Sequence, residues 1–216
     1  MLPDFVPSVS VLAAFTVAAL VLAVTPGPDM TFFMSKTLTQ GRKAGIAAVL
    51  GATAGLVIHT VLAAIGVSAL LAASALAFTV LKIVGAAYLI WLAFQAVRNG
   101  SSFRLDPIEA SRQPLHRVWL QGLGINILNP KIVLFFVTFL PQFVSATDPY
   151  AVEKLLFLGS YFLALGLPIC LLMVTGASAF AGALKSSPKV MRAFDWVFAG
   201  IMGSFALKLL AAKASN

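Results

Sequence analysis

Charge is scarce in this chain. Of its 216 residues, 10% are Asp, Glu, Lys or Arg and 60% are hydrophobic. Soluble domains carry about a quarter charged residues, so the composition excludes a sizeable soluble domain and fits a polytopic membrane protein. Acidic residues are the rarest charge, and only Asp29 falls clearly within an apolar run. One cysteine, Cys170, rules out an intramolecular disulfide and a two-thiol redox centre. A thiol-type membrane electron carrier is excluded with them, and Cys170 reads as a small packing residue in a span. No glycine-rich loop ends in Lys-Ser/Thr, so ATP is not the energy source. No Cys/His cluster suits zinc or haem, and neither a metal site nor a cofactor is expected. No nucleophile, base and oxyanion site occur in a recognisable motif, so no catalytic residue is assigned and the chain does not read as an enzyme. No basic segment precedes the first apolar run and no small-residue cleavage pattern follows it, which reads as a retained span.

What is present is a series of apolar runs. A span needs roughly 20 apolar residues. The runs place spans at about 5–34, two more within 44–97 with a tight turn near Ser68 to Ser74, and then about 118–144, 155–184 and 194–210. The polar stretch 98–117, with four arginines and two prolines, is the one linker. It divides the chain into a first three-helix repeat at 1–97 and a second at 118–216. Because three is odd, the second repeat enters from the opposite side of the membrane. The expected fold is therefore all-α, with six transmembrane helices as a 3+3 inverted repeat.

The net charge of +8 is spread over short loops, which suits orientation in a membrane and not nucleic-acid binding. With the N-terminus outside, the inner segments hold ten Lys and Arg, from Lys36 to Arg192, and the outer ones three: Lys154, Lys208 and Lys213. Both termini are expected in the periplasm.

Two breaks interrupt spans one and four. Thr25-Pro26-Gly27-Pro28-Asp29 ends the first apolar run, and Asn129-Pro130-Lys131 lies inside the fourth. Each sets a capping residue directly before a proline, the usual start of a helix, with Thr25 or Asn129 as N-cap and proline at the first helical position. Each also carries one ionisable residue at a depth where charge is expensive. Paired broken helices mark the binding site of many transporters.

Asp29 falls in the first turn of a half-helix. The helix N-terminus favours its anion and the apolar surroundings disfavour it, so it suits taking and releasing a proton, or it is a capping acid near the inner surface. Lys131 faces a watery cavity and an anion, either Asp29 or a substrate carboxylate; otherwise its stem snorkels. Gly51, Gly55 and His59, spaced by four, share one helical face that a neighbouring backbone can approach. His59 is either a proton relay or a hydrogen-bonded packing residue. Lys82 is a membrane-surface anchor or a site residue.

These segments together resemble one family. Thr25-Pro26-Gly27-Pro28-Asp29-Met30, the Gly51/Gly55/His59 stripe, Lys82-x2-Gly85-Ala86-Ala87-Tyr88-Leu89 and Asn126-x2-Asn129-Pro130-Lys131, followed by Leu134-Phe135-Phe136 and Leu140-Pro141-Gln142-Phe143, are similar to the LysE/RhtB family of bacterial amino-acid exporters. The resemblance implies a carrier in the bacterial cytoplasmic (inner) membrane that exports amino acids or close derivatives, with proton antiport as the energy source. It maps motif positions onto Pro26, Gly27, Pro28, His59, Lys82, Gly85, Asn129, Pro130 and Lys131. Spans five and six supply none.

The expected site lies between spans one and four. Two half-helix N-termini and Lys131 hold a substrate carboxylate there, and Asp29 with His59 binds the amine or a proton in turn. The expected partners are an amino-acid substrate, protons and the lipid bilayer, with a homo-oligomer left open. The alternative is a metal or inorganic-ion exporter on the same scaffold, which would want more intramembrane carboxylate, Cys or Met ligands.

Overall fold

The computed structural model describes residues 5–25, 27–73, 75–99, 112–145 and 148–177, with isolated positions between 192 and 207. Helix is the only regular structure among them. The ends of the helices follow from their capping residues. Ser8 opens α1 (Val9–Val24), its Oγ accepting from the Val11 N–H. Gly27 and Pro28 open α2 (Pro28–Gln40). Gly41, at φ +90°, closes α2 in the left-handed region that favours glycine. α3 (Arg42–Ala73) then runs for 32 residues through the middle of the protein, packing on α2, α5 and α7. α4 (Ala75–Asn99) follows, and α5 (Leu115–Ile127) begins beyond the linker.

The second break separates α5 from α6 (Pro130–Leu134), a single turn that widens into a π-helical turn at Phe135–Phe139 and tightens into a 3-10 turn at Leu140–Phe143. Pro141 has no N–H, so regular helix cannot pass through it unchanged. α7 (Ala151–Thr175) carries Pro168 within it.

The chain bends by 48° between α1 and α2 and by 50° between α5 and the 130–143 helix. By length and composition, two of the described helices could cross a membrane, Arg42–Gly66 and Ala151–Thr175, or up to four if each bent pair is one span. Large apolar side chains such as Leu62, Ile65 and Leu172 are turned outward, as lipid-facing residues are. The expected span six lies outside the described residues apart from isolated helical positions, as does most of the linker.

Several boundaries differ from the sequence expectation. Thr25 does not cap α2; it is the C-cap of α1, and its Oγ1 donates to the Val21 carbonyl at 2.6 Å. Thr-Pro-Gly-Pro offers two prolines for the first helical position, and the chain uses the second, with Gly27 before it. Pro26 itself lies outside the described residues. The expected linker is also shorter, because α4 continues to Asn99 and α5 starts at Leu115. Span five starts at Ala151 and ends at Thr175, earlier at both ends than 155–184. Asp148 sets the start: its Oδ1 accepts from the Tyr150 N–H at 2.9 Å, forming a turn directly ahead of the helix.

Small residues let α3 and α5 meet backbone to backbone. A Cβ on Gly51 would run into the Trp119 carbonyl, and one on Gly122 into the Ala48 carbonyl. A second packed region gathers Phe15, Phe135, Phe136, Phe139 and Phe162 where α1, the π turn and α7 converge. Edge-on contacts such as Phe136 with Phe162, at 5.9 Å and 87°, close this aromatic core.

Candidate functional site

The two breaks interlock. Lys131, in the first turn of α6, reaches across to the end of α1, where its ammonium donates to the Thr25 carbonyl at 2.9 Å and to the Leu22 carbonyl at 3.4 Å. The sequence supplies the reason. A helical carbonyl normally receives the N–H four residues on, and for Leu22 that residue is Pro26, which has none. Lys131 takes the missing donor's place. The C-terminus of α1 also carries the negative end of a helix dipole, which favours a cation.

Gly27 makes room for this contact. Its backbone is extended, at φ −163°, which any residue can adopt. Its Cβ position, however, lies 3.1 Å from Lys131 Nζ and 3.3 Å from Cε, so a side chain there would press on the end of the lysine. Asn129 sets Lys131 in place from the other side: its Oδ1 accepts from the Lys131 N–H at 3.1 Å, capping the half-helix as the sequence suggests.

Asp29 lies in the first turn of α2. Its Oδ2 accepts from Asn126 Nδ2 at 2.8 Å, while its buried Oδ1 and the neighbouring Asn129 Nδ2 each lack a well-formed hydrogen bond among the described residues. Asn126 is fully buried on α5, and its own Oδ1, also unpaired, rests against Gly55 of α3. A Cβ at Gly55 would fall on that amide. His59, one helical turn further, brings Nε2 to 3.4 Å from the Asn126 carbonyl, and its ring stacks on Phe136 at 5.6 Å. The stripe of Gly51, Gly55 and His59 is thus the face of α3 that meets α5. No ion pair joins Asp29 to Lys131; among the described residues the one ion pair is Lys154 with Asp148, in the loop before α7.

Between the breaks lies a cavity with about 660 Å³ of empty space, its open mouth included. Besides the Thr53 hydroxyl of α3, its polar atoms come from Thr25, Asp29, Asn126 and Lys131, and its remaining walls are almost wholly apolar. Of the residues singled out from sequence, these four line the cavity. Gly27, His59 and Asn129 abut it through them. Pro28 and Pro130 occupy the first positions of their half-helices and face outward. The side chain of Lys82 lies outside the described residues.

Sequence reasoning missed α7. Phe162, Leu163, Gly166, Leu167, Cys170 and Met173 form one wall of the cavity. Their spacing is that of one helical face. The helix is apolar all round, however, so nothing in its pattern marks that face as different. Pro168 beside Gly166 was the only local signal. Cys170 packs against neighbours, as expected of it, and also borders the cavity.

Comparison with known proteins fits these observations. The family model for the LysE type translocator matches residues 20–213. The chain belongs to the LysE family. A membrane protein of Vibrio cholerae with no assigned function is 32% identical over 209 residues, covering 93% of this chain and 97% of its own length. The homoserine/homoserine lactone efflux protein of Salmonella typhimurium is 30% identical over 188 residues, 87% of this chain and 90% of that one. The leucine efflux protein of Klebsiella pneumoniae is 33% identical over 132 residues, 61% and 62% of the two chains. No solved structure matches. In this LysE-family translocator, both breaks fall inside the family match, and so does every residue that lines the cavity.

Proposed function

We propose that this LysE-family translocator exports an amino acid or a close derivative from the cytoplasm, binding it in the cavity between the two breaks and exchanging it for protons. The observation that carries the reading is the pair of opposite charges on one cavity wall. Among the described residues Asp29 keeps a buried carboxylate oxygen without a well-formed hydrogen bond, beside the Asn129 amide, and Lys131 has two of its three N–H groups engaged by carbonyls. A zwitterion complements both: its ammonium fits the free Asp29 oxygen, and its carboxylate fits the remaining N–H of Lys131. The named activities of the Salmonella and Klebsiella relatives, both efflux of small amino compounds, agree with it.

Asp29 is the proposed exchange group. It holds either the substrate amine or a proton, and that exclusivity couples the two movements. His59 is the second candidate proton site, joined to Asp29 through Asn126. The carrier works in the bacterial inner membrane as six spans in a 3+3 inverted repeat, with Asn126, Asn129 and the prolines shaping the site and both termini periplasmic. Lys82 is retained as a candidate on the resemblance alone.

The test is transport by the reconstituted full chain. Labelled amino acids should enter inverted vesicles in response to an imposed pH gradient. Asp29→Asn, which mimics the protonated carboxyl, should fold, show much weaker substrate binding in counterflow, and no longer concentrate substrate in response to the pH gradient. Transport that ignores the pH gradient would refute antiport, and a vesicle that moves no amino acid would refute the whole reading.

A further inference from the structure

We propose that Gly166 of α7 sets the size of the substrate side chain, and that the pocket it opens admits an uncharged, apolar one. The proposal rests on the reading that the cavity binds an amino acid. It begins with why residue 166 is glycine. Glycine is disfavoured in a helix interior relative to alanine. Other buried helical glycines here have a neighbour standing where a side chain would go: Thr37 at Gly45, Trp119 at Gly51, Asn126 at Gly55, Ala48 at Gly122 and Thr60 at Gly159. Gly166 is also buried, yet among the described residues a Cβ there would meet no atom within 4 Å. What lies in front of it is the cavity. No packing contact among the described residues requires glycine at this position, and a larger residue would occupy the binding space itself.

The walls around it decide what that space accepts. Phe162, Leu163 and Leu167 flank Gly166 on α7, and Val49 and Leu56 line the cavity from α3. The charged groups among the described lining residues are Asp29 and Lys131, and the α-amino and α-carboxylate groups of a substrate use both. A charged side chain would be left unmatched among apolar walls. The two wall hydroxyls donate within their own helices, Thr25 to Val21 at 2.6 Å and Thr53 to Val49 at 2.9 Å, so what they and the Asn126 Oδ1 offer a substrate is acceptors only, on walls that are otherwise apolar. A leucine-like side chain matches this lining, and lysine or glutamate does not.

The experiment measures counterflow by the reconstituted full chain in mixtures of alanine, leucine, lysine and glutamate. It compares the natural protein with Gly166→Ala and Gly166→Val. The natural protein should prefer leucine to lysine and glutamate. The leucine-to-alanine ratio should fall stepwise along the series, by about ten-fold or more at valine, within the range that a few methyl groups give in an apolar pocket. Because the ratio is internal to each sample, it does not depend on how much protein folds, and the alanine variant alone suffices if the valine variant is not recovered. Gly66→Val, on an exposed face of α3, should leave the ratio unchanged. A ratio that stays constant from glycine to valine would overturn the proposal, since a purely structural role for Gly166 in α7 would slow every substrate alike. Preference of the natural protein for lysine or glutamate would also overturn it while leaving amino-acid export intact. Failure to carry any amino acid would instead remove the broader reading, and this one with it.

Discussion

Removing the charge of Lys131 should weaken both the fold and substrate binding, and the two effects can be measured separately. Lys131→Met keeps most of the stem and deletes the ammonium. The 2.9 Å bond to the Thr25 carbonyl is charge-assisted, and such bonds contribute about 1.5–3 kcal/mol. The 3.4 Å contact with Leu22 lies at the edge of bonding distance and adds little by itself. Its loss still leaves the Leu22 carbonyl without a donor, because residue 26 is proline. Against this, methionine relieves the cost of holding an ammonium away from water. The net destabilisation should be about 1–3 kcal/mol, the cost of unsatisfied backbone acceptors. For a chain of this size that lowers Tm by roughly 2–12 °C. If the third N–H holds the substrate carboxylate, affinity should also fall by about 2–5 kcal/mol, the usual cost of truncating one partner of a buried charge pair. Thermal unfolding of the purified protein in detergent reads the first effect, and the half-saturation concentration in counterflow reads the second. Gly27→Ala offers an independent check: its Cβ would crowd the ammonium and Cε, so it should reproduce part of the loss in the natural protein and add less to Lys131→Met, where the ammonium is gone. An unchanged Tm with unchanged half-saturation would refute the interlock, and a lowered Tm with unchanged half-saturation would confine Lys131 to a structural role.

Gly51→Ala should destabilise by about 1–3 kcal/mol or more, because the atom in its way is the Trp119 backbone carbonyl and helices α3 and α5 would have to separate; equal Tm for natural and variant protein would show that the crossing is looser than described. Outside the spans, the Lys154 ammonium and then the Tyr150 N–H hold the Asp148 carboxyl below the usual carboxylate range. A lowered folded pKa contributes stability above the ordinary carboxylate pKa and loses it as pH falls through the lowered value. Asp148→Asn should therefore cost at most about 1 kcal/mol at pH 7 and progressively less below about pH 4. A Tm difference from the natural protein that is the same at pH 7 and pH 3 would contradict this.

How much of the site could be read from sequence depended on whether backbone chemistry or side-chain direction was at stake. Proline cannot donate and cannot continue a helix unchanged, so both breaks were visible as letters. Asn129 before Pro130 gave the second cap directly. The spacing of Gly51, Gly55 and His59 marked a close helix contact, and α5 is the helix that fills it. At Thr25 the same rules misled, because two prolines were eligible and the short Thr-Pro-Gly segment could close one helix or open the next. The partner of Lys131 was also hidden. An anion was the obvious candidate, but the Leu22 carbonyl, orphaned by a proline 105 positions before Lys131, and the Thr25 carbonyl beside it serve as well, and nothing local connects them. α7 was opaque for a different reason. In a helix that is apolar on every side, the lipid face, the packing face and the cavity face share one composition, so Gly166 was indistinguishable from a packing glycine.

The two breaks look like equivalents in sequence, but they satisfy their backbones in different ways. The second carries its own cap, Asn129, on the chain that it interrupts. The first has no side-chain cap at Gly27, and its α1 carbonyls depend on Lys131 from the second. The dependence runs in one direction, and it ties the end of α1 to the start of α6 at the cavity wall. Any movement that parts those two ends must first break the Lys131 bonds, leaving Leu22 without a donor. A substrate carboxylate drawing the ammonium toward the cavity would lower that barrier by giving the charge another partner. Binding at the wall would then be linked to release of the interlock, through the one side chain that serves both.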